Sequence, residues 1–121
     1  MDLLSKQDQQ DLLITALEGG SNYWYAIGDS PEFKALEKKP SEAYSERVFR
    51  FIENGGSLPI FDLELEDEFL GNLTKESFNK GAAVMLEHYK SHFANILTED
   101  WDAETADVWF QCCIMGDIMY G

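Results

Sequence analysis

Apolar and polar residues recur in two different periods along this chain, and the change between them divides it. From residue 5 to 18, Leu12, Leu13, Ala16 and Leu17 return at helical spacing behind Ser5 and Asp8, a pair resembling a capping box. Gly19 and Gly20 follow and are expected to end this helix in the left-handed conformation. In "GDSPEF", Ser30 as N-cap and Pro31 at the first helical position start a second, short helix, which Pro40 interrupts. Ser41 is expected to cap a third helix with Tyr44, Val48, Phe49, Phe51 and Ile52 on its apolar side, ended by "NGG" at 54–56. Thr74 caps the longest predicted helix, 75–97, whose stripe is Phe78, Ala82, Met85, Tyr89, Phe93 and Ile96. Asp100 or Asp102 starts the last helix, which is apolar nearly all round and therefore expected to be buried on more than one side.

Between the third helix and the longest one the period shortens. "SLPIFDLELEDEFLGNLT" alternates apolar and polar residues, which predicts a β-hairpin with strands near 58–64 and 68–73 and a turn at Leu65–Asp67. The resulting expectation is an α+β fold: a mainly helical single domain over residues 1–121, with four to five helices and one hairpin near 58–73. A chain of 121 residues with 45% apolar content is large enough to bury one core.

Charge narrows the classes of partner. With 23 acids against 9 lysines and arginines the net charge is −14, which repels nucleic acid and anionic membranes and attracts basic partners. No basic stripe is present to neutralise phosphates, so direct nucleic-acid binding is not expected. The acidity itself has two readings, solubility and mimicry of a phosphate backbone. No apolar run reaches the length of a membrane span, and "MDLLSKQDQQ" has acids and amides where a signal peptide carries basic and apolar residues. The two cysteines, Cys112 and Cys113, are adjacent and unsuited to stapling the fold, which points to a reduced, cytoplasmic protein with inert thiols.

Candidate chemistry concentrates at two places. In "EGGSNYWY" the aromatics Tyr23, Trp24 and Tyr25 follow two glycines, a pattern suited either to plugging the core after a sharp turn or to anchoring a ligand or partner. Asp107 and Gln111 lie four apart on the apolar last helix, where an acid and an amide must be hydrogen-bonded, exposed, or reserved for a ligand. They are expected to satisfy backbone groups of the segment 19–28, or else to line a pocket with the three aromatics. His88 and His92 share a four-residue spacing on the predicted long helix and are the metal candidates, although "HYKSH" lacks the Glu of the zinc-protease motif. A hydrolase built on these histidines and nearby acids is therefore the least supported reading. No Ser-His-Asp order, Walker loop or dinucleotide fingerprint occurs, and no cofactor is implied.

"TALEGGSNYWY", "LGNLT", "HFANIL" and "DAETADVWFQCCIMGDIMYG" together resemble a group of small uncharacterised proteins of bacteriophages and prophages. The terminal pattern of that group falls on Asp102, Ala103, Thr105, Asp107, Gln111, Gly116, Tyr120 and Gly121, with a departure at Met115, where an aromatic is expected. The resemblance implies a mobile-element setting and the cytosol of a bacterial host, and no particular activity. The function expected is that of a non-catalytic accessory protein that binds a basic host macromolecule through an acidic, aromatic-containing surface. The alternative is capture of a nucleotide-like or other planar metabolite by Tyr23, Trp24, Tyr25, Asp107 and Gln111. The apolar last helix also raises the expectation of a homodimer.

Overall fold

The computed structural model describes residues 2–121, which fold into six α-helices, one π-helical turn and a three-stranded antiparallel sheet. The α+β class expected from the pattern is the class observed.

Helix α1 (Lys6–Thr15) starts as the sequence predicts, with the Ser5 hydroxyl accepting from Asp8 N at 3.0 Å. It does not end in a left-handed glycine. Instead the helix widens into a π turn over Ala16–Gly20, and the glycines with positive φ are Gly55, Gly71 and Gly116. Gly20 is needed for clearance: a Cβ there would lie 2.7 Å from the carbonyl oxygen of Ala103. The missing side chain lets the start of the last helix rest on the π turn.

Helix α2 (Pro31–Ala35) has the expected cap, Ser30, whose hydroxyl accepts from Phe33 N at 3.2 Å. Helix α3 (Tyr44–Glu53) begins later than Ser41 suggests. Ser41 sits at φ 61°, Ala43 is the capping residue, and the Glu46 carboxylate turns back to accept from Ala43 N at 2.8 Å. Arg47 joins these two helices by donating to the carbonyls of Phe33 and Leu36, at 2.9 and 2.5 Å, while its guanidinium lies over the Phe33 ring.

The predicted hairpin is present as β2 (Leu58–Asp62) and β3 (Phe69–Leu73), joined by a six-residue loop, 63–68, longer than the three-residue turn expected. A third strand, β1 (Tyr25–Ile27), pairs antiparallel with β2, so the order is β1-β2-β3. The period-2 signal is invisible in so short a strand, which explains why the sequence pattern misses it. Pro59 is tolerated in the central strand because its backbone faces β1 where that strand has ended. There its carbonyl accepts from Gly28 N at 2.8 Å and only one ladder bond is lost.

The predicted helix 75–97 is two helices. Helix α4 (Lys75–His88), capped by Thr74, ends at Tyr89, whose φ −134° and ψ 55° break the ladder, and α5 (Lys90–Leu97) follows. No proline or glycine marks the break. Tyr89 instead directs its hydroxyl to the Asp117 carboxylate beyond the last helix, while Phe93 and Ile96 of α5 remain buried in the same core.

Helix α6 (Ala103–Met115), capped by Asp102, is the axis of the fold, and every residue from Thr105 to Ile114 is buried. Gly81 permits the close approach of α4, since a Cβ would fall 2.4 Å from Cys113 Sγ and 3.0 Å from the Trp109 carbonyl. Trp109, Phe110, Phe78, Leu12, Leu13 and Met85 are fully covered in this core, each contributing roughly 1.5–3 kcal/mol of burial. The chain's own elements cover α6 on all sides, so this helix presents no bare apolar stripe to a second copy.

Candidate functional site

Leaving the π turn, the chain carries Ser21, Tyr23 and Trp24 directly over α6, where they converge on one carboxylate. Asp107 Oδ1 accepts from the Ser21 hydroxyl at 2.7 Å and from the Trp24 indole Nε1 at 2.8 Å, and Oδ2 accepts from the Tyr23 hydroxyl at 2.6 Å. Gln111 Nε2 adds a fourth contact at 3.2 Å. A buried carboxylate with this many donors is fully compensated, and hydrogen bonds to a charged acceptor are the stronger kind. The sequence expectation that Asp107 meets the segment 19–28 describes this contact, except that the donors are side chains.

Gln111 performs a different task. Its Oε1 accepts from Met119 N and Tyr120 N at 2.8 and 2.9 Å, and its Nε2 donates to the Tyr120 carbonyl at 3.1 Å. The amide thus fastens the segment after α6 back along the helix. Tyr120 thereby stacks on Trp24 at 5.3 Å with the rings 8° from parallel, and Phe110 packs on the same indole at 5.3 Å. Trp24 is 2% exposed. Tyr25 turns the other way and donates to the Leu17 carbonyl at 2.8 Å. Burial pushes the Tyr25 phenol up to about 12, and burial together with the bond to Asp107 does the same for Tyr23.

The structure therefore brings Tyr23, Trp24, Asp107 and Gln111 together and holds Tyr25 next to them through Trp24 and Phe110. Trp24, Asp107 and Gln111 are buried while Tyr23 is 47% exposed, and surface pockets of about 240–510 Å³ open on other residues. His88 and His92 fall on opposite sides of the break at Tyr89: His88 is exposed, and His92 Nδ1 is 2.8 Å from the Thr105 hydroxyl. Among the described residues no three His, Cys, Asp or Glu side chains are grouped to hold a metal ion, and no helix is long and apolar enough to cross a membrane. Cys112 and Cys113 are buried free thiols, and burial raises Cys112 to about 12 and raises Cys113 as well.

A second arrangement lies on the far side of the sheet. Leu58 and Ile60 point into the core, so Pro59 and Phe61 face outward, with Ala26 of β1 and Phe69 and Asn72 of β3 as their neighbours. Phe61 and Phe69 meet edge to face at 5.7 Å, and Phe69 is 52% exposed. At the end of this face stands loop 63–68, in which Leu63 and Leu65, 44% and 58% exposed, alternate with Glu64, Glu66, Asp67 and Glu68.

Asp62 gives the loop its shape. Its Oδ1 accepts from Glu64 N and Leu65 N, both at 2.8 Å, and its Oδ2 accepts from the Tyr120 hydroxyl at 2.5 Å. The Tyr120 bond, with the backbone bonds, holds the Asp62 carboxyl below the usual carboxylate range; the same contact pushes Tyr120 up to about 12. Sequence reasoning noted the acids but missed Phe61 and Phe69. Alternation in "LPIFD" is the signal that sets Phe61 on the face opposite Ile60.

Comparison of the chain with protein-family models, with curated proteins and with solved structures finds no match.

Proposed function

We propose that this protein is a non-catalytic accessory factor, of phage or prophage type, that binds a basic protein in the cytosol of a bacterial host. The surface that serves this role is the outer sheet face together with the acidic loop. One observation carries the reading: Leu63, Leu65 and Phe69 are exposed on a loop and strand end that also present Glu64, Glu66, Asp67 and Glu68. Exposing several large apolar side chains together is unfavourable in a free protein and is a mark of contact surfaces. The interleaved carboxylates supply long-range attraction to a cationic partner, and the apolar groups supply the contact that desolvates on docking. Asp62 and Tyr120 hold the loop in one form, so less ordering entropy is lost when a partner arrives.

The test is recovery of partners from bacterial lysate by wild type and by a variant carrying Glu64→Lys, Glu66→Lys, Asp67→Lys and Glu68→Lys. Asp62 is left intact because it shapes the loop. The expected result is a set of basic proteins released from the wild type by moderate salt and missing from the variant. Identical recovery by both proteins contradicts the reading.

A further inference from the structure

We infer that the partner docks as an extended segment that adds a fourth strand to the free edge of β3, with its basic residues beside the acidic loop; this rests on the proposed binding role. The edge is defined by the register. Pro59 bonds toward β1 through its carbonyl, so alternation turns the backbone groups of Leu58, Ile60 and Asp62 toward β3, and Asp62 N indeed donates to the Glu68 carbonyl at 3.0 Å. Their partners Leu73 and Gly71 use their backbone groups on β2, which leaves the N–H and C=O of Asn72 directed away from the sheet, while a bulge at Leu70, between the Phe61–Phe69 and Ile60–Gly71 pairs, interrupts the alternation.

Natural edges are commonly blunted by charge, proline, a bulge or a covering element. β3 reads Phe-Leu-Gly-Asn-Leu, with neither charge nor proline, and beyond its bulge at Leu70 the stretch Gly71–Leu73 pairs regularly with β2. Alongside it runs an open groove of about 400 Å³, bounded by Gly71 and Asn72 of β3, Glu76 and Lys80 of α4, and Cys113 and Ile114 of α6. A Cβ at Gly71 would fall 2.4 Å from the Ile114 carbonyl, so α6 ends directly beneath the strand and forms the floor of the groove.

An added strand alternates its side chains between two sides. One set enters the groove over Ile114, where small apolar side chains fit. The other set stands on the outer face beside Phe69 and Asn72, within reach of the carboxylates of the loop. The occupant that matches is an extended peptide alternating apolar and basic residues. A second copy of this chain, with net charge −14, is disfavoured by like-charge repulsion.

The experiment uses a nine-residue peptide of alternating lysine and valine, titrated into the full protein by calorimetry and by amide hydrogen exchange. The expected result is saturable binding that slows exchange at Asn72. N-methylation of the central edge-facing residues of the peptide, or Asn72→Pro in the protein, is expected to weaken binding by about tenfold or more, the equivalent of a lost ladder bond or two. Since Asn72→Pro can disturb the strand, the exchange protection in wild type is the independent readout. Absence of binding at millimolar peptide overturns the inference. So does binding that N-methylation and Asn72→Pro leave unchanged while the four-lysine loop variant loses it; in that case acidic recognition survives without strand addition. Loss on N-methylation with no effect of the loop variant supports the added strand and removes the acidic recognition instead. Protection of Asn72 that depends on protein concentration without peptide overturns it in favour of self-pairing.

Discussion

Trp24 and Asp107, 83 positions apart, are joined by a 2.8 Å hydrogen bond from the indole Nε1 to the carboxylate, and the same carboxylate collects Ser21 and Tyr23. The segment after the two glycines is thereby tied to the central helix by polar contacts, those of Ser21 and Trp24 buried in the core and that of Tyr23 at its edge. Such a network specifies one packing of the chain, because every alternative strands a buried donor.

Replacing Asp107 with Asn tests this directly. The asparagine oxygen can keep Ser21 and Trp24, but its amide nitrogen then faces the Gln111 Nε2 donor, the Tyr23 hydroxyl must reverse to accept, and the charge that strengthens all four bonds is gone. Destabilisation of about 2–4 kcal/mol is expected, read as a lower urea midpoint by tryptophan fluorescence. A change below about 0.5 kcal/mol contradicts the network's structural role.

Gln111→Leu keeps the volume near that of the amide and removes both ends of the bridge to Met119 and Tyr120. The expected cost is about 1–3 kcal/mol, with fast amide exchange confined at first to residues 117–121. Tyr120 then leaves Trp24, so the indole emission shifts to the red before global unfolding.

Alkaline titration has a defined window. Tyr23, Tyr25 and Tyr120 are raised from 10.0 to about 12, so the folded state holds these phenolic protons more tightly than the unfolded chain. The stability they contribute is fully present below pH 10 and is lost as pH rises through about 12. Phenolate absorbance is expected to appear together with loss of helical circular dichroism in that interval. Asp62 acts in the opposite direction: its depressed carboxyl stabilises the loop above the ordinary carboxylate range and ceases to do so as acid protonates it.

The thiols report on opening of the core. Cys112 and Cys113 are buried with raised pKa values, so an aromatic disulfide reagent is expected to modify neither in the native protein at pH 8 and both in urea. Rapid labelling of the native protein contradicts the packing of α6.

The helices were largely legible because their caps and apolar stripes are local. Ser5, Ser30, Thr74 and Asp102 all cap the helices they introduce. Three features escaped because their causes lie far away in the chain. Gly20 is demanded by Ala103, the break at Tyr89 accompanies a bond to Asp117, and β1 exists because β2 offers it a ladder. At the candidate site, an acid and an amide on an apolar helix marked Asp107 and Gln111 as positions in need of partners, but the partners, side chains of Ser21, Tyr23 and Trp24 and backbone groups of Met119 and Tyr120, differ from the backbone groups of 19–28 expected. The outer face was harder to see, since Phe61 and Phe69 become neighbours only once the register of the hairpin is known.

Amide and indole chemical-shift mapping of the isotope-labelled protein with the lysine-valine peptide tests recognition by the loop and β3 most directly. Shifts are expected to concentrate at residues 61–72, with the Trp24 indole proton unmoved in its bond to Asp107. Shifts centred on Tyr23, Trp24 and Gln111, with the loop and β3 silent, would contradict this reading and move recognition to the aromatic cluster.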